Sequence, residues 1–223
     1  MFLNETESTK NPFWMYLLGS FIIIFFSILG QLPLTFFISG EKLLSAGGDP
    51  ILALRSLDKN LQLFLLLIPS LVGFSGLILV VYKLHEKSLK TISTSRKNFD
   101  WQRMFFAFFL WGLITVLLLI VDYLFNPTDY QWNFKLLPFI ILFIISITLI
   151  PIQASFEEYI FRGYLLHGFT SFFKKPWLSL LMTSVIFGCL HFSNPEVEKI
   201  GYSILIYYIG TGFFLGILTI IDK

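Results

Sequence analysis

The chain has 223 residues, 56% hydrophobic and 13% charged, with a formal net charge of +2 and a mean hydropathy of +0.77. A soluble domain carries about twice that share of charge, and apolar runs long enough to cross a bilayer as helix recur along the chain. These features exclude a soluble globular protein, and they make the basic residues topology markers rather than a nucleic-acid surface. The single cysteine, Cys189, excludes an internal disulfide and a Cys-based metal cluster, and is expected to be a small residue in helix packing.

The first dozen residues are polar and lack the basic start, short apolar run and cleavage site of a signal peptide. They read as a cytosolic tail (1–12) ahead of a single transmembrane domain (13–223). Asn4-Glu5-Thr6 matches a glycosylation sequon, a triplet too common to carry weight. The first span is expected over 13–38, with Gly30, Gln31 and Pro33 kinking or ending its second half. Gly47-Gly48-Asp49-Pro50 is a turn, and the second span follows over 61–84 with Pro69, Gly73 and Gly76 inside it. Lys83, Lys87, Lys90, Arg96, Lys97 and Arg103 make a basic stretch read as a solvated loop beside anionic lipid headgroups. The third span covers 104–125 and is broken by Asn126-Pro127-Thr128-Asp129. A fourth apolar element opens near Leu136 and closes at Lys174-Lys175-Pro176, and a fifth covers 177–191. After a turn at Asn194-Pro195-Glu196, the sixth runs over 202–221 with Gly212 and Gly216 in the spacing that lets helices approach closely, here within the chain rather than between copies. The expected fold is all-α, a polytopic transmembrane helical bundle of about six spans. Lys and Arg are concentrated in the tail, the 83–103 stretch, the 174–175 turn and the C-terminus, which places both termini in the cytoplasm.

The chemistry concentrates at Glu157-Glu158-Tyr159-Ile160-Phe161-Arg162, where three ionisable groups interrupt an apolar run. Insertion scales put each at roughly 2.5–3.5 kcal/mol at a helix centre, so a role is expected for them. Glu158 and Arg162 are spaced i,i+4 in the favourable acid-first order and form the expected ion pair. Glu157 points ~100° round the helix with no cation at i+3 or i+4. It is the carboxylate left for work, and burial in an apolar bundle would raise its pKa toward that of a general base. The bland reading, a charge network that only fixes helix packing, stays open at this point. His191 ends Phe187-Gly188-Cys189-Leu190-His191. Glu157 lies 17 residues before Lys174 and His191 lies 16 after Lys175, so a helical hairpin closed at the two lysines sets them at nearly equal depth. A carboxylate and an imidazole facing each other can hold and activate one water. His85, at the edge of the basic loop, is expected to be solvated, and His167 is poorly aligned with Glu157. A metal site would draw on Glu157, Glu158 and His191, without the usual His-Glu-x-x-His pattern. A divalent ion is therefore secondary to metal-free catalysis, and no cofactor is expected.

Two ordered motifs, Glu-Glu-x-x-x-Arg at 157–162 and Phe-x-x-x-His at 187–191 with Asn194-Pro195 just after, resemble the CAAX-protease and bacteriocin-processing family of intramembrane glutamic endopeptidases. The resemblance covers about 135–220. It implies an integral membrane protein, of a bacterial inner membrane, that cleaves a peptide or prenylated peptide. Glu157 would be the catalytic base, His191 its partner in orienting water, Glu158 and Arg162 the rest of the first motif, and Phe187 the start of the second. The family has also been classed with metalloproteases. It commonly carries a later His-x-x-x-Asn that stabilises the oxyanion, whereas no histidine follows His191 in this sequence. Either the sequence is a fragment, or donors come from elsewhere, Asn194 among them, or the protein is a weak or inactive member serving bacteriocin immunity or partner binding. A proton-coupled transporter fragment is the third class of reading.

Overall fold

The structure, a computed structural model, describes residues 11–94 and 96–222. Most of the polar tail, its sequon and Lys223 fall outside the described residues. The chain forms two compact units, one of residues up to 95 and from 142 onward, the other of 96–141.

In the first unit, α1 (Phe13–Leu29) is separated from α2 (Leu32–Ile38) by Gly30 and Gln31, where the sequence predicts a kink. Two short helices, α3 (Glu41–Ser45) and α4 (Pro50–Arg55), follow. The turn between them uses positive φ at Gly47 (65°) and Gly48 (84°), and Asp49 caps α4 by accepting from the Ile51 N–H at 2.8 Å. α5 (Lys59–Leu79) starts on an Asp58 cap and passes through Pro69 without ending. It then widens into a π-helical turn, Val80–Leu84. α6 (Leu89–Ser93) follows. The inward stripe of α1 is Tyr16, Gly19 and Ile23, while Phe21, Ile24, Phe25 and Ile28 are left for lipid. The stripe meets α5 closely. A Cβ on Gly76 would lie 2.7 Å from the Phe26 side chain, and one on Gly73 would overlap Ser27 and Phe156.

The second unit holds α7 (Trp101–Phe125), a short 3-10 turn at Pro127–Asp129 and the opening of α8 (Leu136–Glu158). α7 is apolar over a bilayer-spanning length, with a mean hydropathy of 2.7 in its best window.

Residues 142–158 of α8 return to the first unit. Length alone makes α8 and its continuation too long for the membrane: Leu136–Phe173 is 38 residues, ~57 Å of straight helix against a ~30 Å core. Pro151 does not break it; the change comes at Tyr159–Leu165, which is π-helical, before α9 (Leu166–Phe173) resumes. Lys174 then turns the chain in the left-handed region (φ 58°), and α10 (Pro176–Leu190) runs back with Pro176 in its first turn. α11 (Pro195–Ile200) occupies the stretch expected as a simple turn, and α12 (Ile204–Asp222) ends the fold. α12 lies along α10, where a Cβ on Gly212 would sit 3.2 Å from the Ser184 Cα and one on Gly216 would overlap Leu180. The Gly-x-x-x-Gly pattern is thus spent inside the chain. Among the described residues, five helical stretches are long and apolar enough to cross a membrane, and α10 is a shorter apolar helix. That is the all-α membrane bundle of about six spans that composition implies.

Candidate active site

The hairpin of α9 and α10 determines what faces what. Phe161 and Phe187 meet edge to face, ring centres 5.1 Å apart and planes at 86°. Phe161 lies 13 residues before Lys174 and Phe187 lies 12 after Lys175. This is the same offset, one helical turn nearer the hairpin, as Glu157 with His191. The register read from the two lysines is therefore the register of the ring pair.

Glu158 and Arg162 make the expected contact, Oε1 to a terminal guanidinium nitrogen at 3.0 Å, with the acid side chain 47% uncovered and the arginine side chain 4%. The pair thus spans a boundary, its cation inside and its anion at the protein's edge. The contact is close in distance, yet no N–H is aimed along it: both terminal nitrogens are buried without a directed hydrogen bond. What covers the cation is an aromatic face, the guanidinium carbon lying 4.5 Å from the centre of the Phe187 ring. Such a contact contributes up to about 2 kcal/mol when desolvated. Phe187 is thus more than the first letter of a motif; it is where Arg162 of one motif rests on the other.

Glu157 is half-buried. Its Oε1 accepts from the Gln153 amide at 3.0 Å, one turn earlier on α8. No hydrogen bond joins it to His191 among the described residues.

His191 closes α10. Its Nδ1 lies 2.7 Å from the Phe187 carbonyl oxygen. A carbonyl only accepts, so Nδ1 carries the proton, and in the neutral ring Nε2 keeps a lone pair. The ring is flanked by two others, Phe187 at 4.5 Å and Tyr208 of α12 at 4.4 Å, nearly parallel at 27°. Asn194 is turned to that same tyrosine, its Nδ2 donating to the Tyr208 Oη at 3.4 Å.

Sequence reasoning misses Gln153 and Tyr208. Gln153 carried a usable signal, since it sits i−4 from Glu157 on a continuous helix. Tyr208 carried none, being one of nine tyrosines in an aromatic-rich chain. Cys189 is exposed rather than packed between helices. Among the described residues no three His, Cys, Asp or Glu side chains are grouped to hold a metal ion. Glu157, Glu158 and His191 therefore do not form a ligand set as they stand.

His85 is not solvated. It is buried, with Nδ1 2.9 Å from the Asn11 amide oxygen and Nε2 3.0 Å from the Tyr164 hydroxyl. That hydroxyl also donates to the Tyr16 carbonyl at 3.2 Å. Ring packing overrides the polar sequence context here, because the imidazole lies 4.4 Å from the Tyr16 ring. His167 is buried as well, with its Nδ1 bound to the Gly163 carbonyl at 2.6 Å.

Residues 135–223 match the family model described as type II CAAX prenyl endopeptidase, Rce1-like. A protein of Bacillus subtilis (strain 168), uncharacterized protein YyaK, is 27% identical over 210 residues, which cover 92% of this chain and 69% of the relative. No solved structure matches.

Proposed function

Since residues 135–223 belong to the Rce1-like family of type II CAAX prenyl endopeptidases, we propose that this membrane protein hydrolyses a peptide bond inside the bilayer with a water activated by Glu157. Glu157 takes a proton from the water as its oxygen bonds to the scissile carbonyl carbon. The C–N bond then breaks and the same proton passes to the leaving amine, so one water is consumed and the carboxylate is restored. His191 offers its Nε2 lone pair to the second water proton and holds the attacking oxygen in line. Glu158 and Arg162 hold the segment: the ion pair and the bed of Phe187 lock the two motifs at one offset.

The observation that carries this reading is the junction at Phe187, which touches Phe161, Arg162 and His191 at once. The shared ring brings together two motifs 25 residues apart in sequence, which supports their polar members acting as one site. The substrate class is a prenylated peptide: the prenyl chain partitions into lipid and delivers the adjacent bond to an intramembrane site. The distribution of Lys and Arg supports a topology with both termini in the cytoplasm.

The test is cleavage of a farnesylated peptide ending in Cys and two aliphatic residues, by the full chain in proteoliposomes. Glu157→Gln removes the base while keeping the shape and the Gln153 bond. It is expected to lower kcat by about 10²–10⁴-fold, with the protein still inserted and eluting as wild type. Undiminished cleavage by that variant rejects the mechanism.

A further inference from the structure

His191 is gripped from one side by its own helix. Its Nδ1 is fixed on the Phe187 carbonyl at 2.7 Å and the Phe187 ring lies against one face at 4.5 Å. Both contacts come from one residue, Phe187 at i−4 on α10, and a histidine at the C-cap of a helix is free to swing when only the preceding turn holds it, because that turn frays. A second ring comes from a different helix: Tyr208 of α12 stacks on the imidazole at 4.4 Å and 27°. α12 is well placed to supply a fixed surface, since a Cβ on Gly188 would lie 3.1 Å from the Ile209 backbone nitrogen, next to Tyr208. The tyrosine is steadied in turn by the Asn194 amide on its hydroxyl.

We propose that Tyr208 is the positioning residue of the site: its ring clamps the His191 imidazole against Phe187 so that Nε2 points to one place. The work is done by the ring face, and the hydroxyl serves only as the handle that Asn194 holds. The kinetic part of this claim rests on the peptidase reading; the geometric part does not.

The experiment separates the two. The full chain in detergent is treated with diethyl pyrocarbonate, and modification of His191 is followed by peptide mass. The other two histidines, His85 and His167, are buried and serve as internal references. Tyr208→Met, of similar bulk without a ring, is expected to raise the His191 modification rate roughly 3- to 10-fold, the factor an aromatic pair carries. Tyr208→Phe is expected to leave it unchanged. In the cleavage assay Tyr208→Met lowers kcat about 10²-fold, as misplacement of a reacting group does, with KM within about threefold of wild type. Tyr208→Phe keeps kcat within about threefold. If Tyr208→Met elutes as aggregate, Tyr208→Trp, which keeps a ring, and Tyr208→Leu take the comparison. Equal His191 reactivity in ringed and ringless variants overturns the proposal. So does a loss of kcat in Tyr208→Phe as large as in Tyr208→Met, which would make the hydroxyl the working group. Absence of cleavage by wild type, with the reactivity pattern intact, would count against the peptidase reading and leave the clamp standing.

Discussion

His85 shows what a residue in a polar sequence context can become when three segments close on it. Burial, and then the Lys87 ammonium nearby, hold its imidazole down to about 4 from the usual 6.5. The ring therefore stays neutral at neutral pH. Its Nδ1–H donates to Asn11, and its Nε2 accepts from the Tyr164 hydroxyl, which shares its proton with the Tyr16 carbonyl. The folded state binds its proton more weakly than the unfolded chain. The stabilisation is therefore complete above pH 6.5 and is lost as pH falls from 6.5 toward 4, by about 3 kcal/mol across the window. The check is the thermal midpoint in detergent between pH 7 and pH 4. Wild type should lose stability steeply there, and His85→Asn, already less stable at pH 7, should lose less. Parallel curves for the two proteins would dismiss the burial account. No spacing rule could have found this contact, because its partners lie 74 and 79 residues away. By contrast, the Glu158–Arg162 pair was legible, because its partners share one helix face and the i,i+4 rule needs nothing beyond the sequence.

Among elements, α12 against α10 is the contact where small residues decide the packing. In lipid there is little hydrophobic drive between helices, so close backbone approach and dispersion carry the association. Gly212 sits in that seam, 3.2 Å from both the Ser184 Cα and the Phe187 ring if it bore a Cβ, whereas Gly210 on the same helix has open space. Gly212→Val should therefore cost about 1–3 kcal/mol through overpacking. It should also push α12, and Tyr208 with it, off the site. Gly210→Val should be neutral or slightly stabilising, since valine is the better helix former. Thermal midpoints of the two variants give the answer, and equal losses would mean that the seam is not what the glycines serve. The spans themselves were legible because each is a long, mostly apolar run bounded by Lys, Asn-Pro or Gly-Gly. The π-helical turn at Tyr159–Leu165 was not. One extra residue per turn leaves no trace in composition, and Pro151, a residue type that commonly kinks a helix, stays within regular helix here.

At the scale of the whole molecule, the contacts of the overlong fourth element bear on where it would leave the membrane. The start of α1 and the end of α5 each mark a boundary of an apolar span. Both meet the π turn or the helix after it: Tyr16 and His85 pack on Tyr164, within the turn, and Phe13 packs on Phe172 of α9 with ring centres 4.8 Å apart. Phe13 is the first residue of α1 and Phe172 the last but one of α9, so α9 ends level with the start of α1. Glu157 lies seven residues before Tyr164, so the candidate base sits roughly 10 Å beneath that residue. The proposed reaction needs such a position, shallow enough for water to reach and deep enough to meet a lipid-borne chain. The same contacts bring the 83–94 stretch and the Lys174 turn to one end of the first unit, and the excess of Lys and Arg there supports the proposal that this end is cytoplasmic. Single-cysteine variants in a Cys189→Ser background put this to measurement in intact cells. Lys90→Cys and Lys174→Cys should resist a membrane-impermeant maleimide until the membrane is opened. Lys59→Cys, at the other end of α5, should label from outside at once. Labelling of the first two from opposite faces would break the shared level, and with it the depth assigned to Glu157. Labelling of both from outside would keep the level and invert the topology, leaving the site open to the wrong compartment for a cytosolic prenylated substrate.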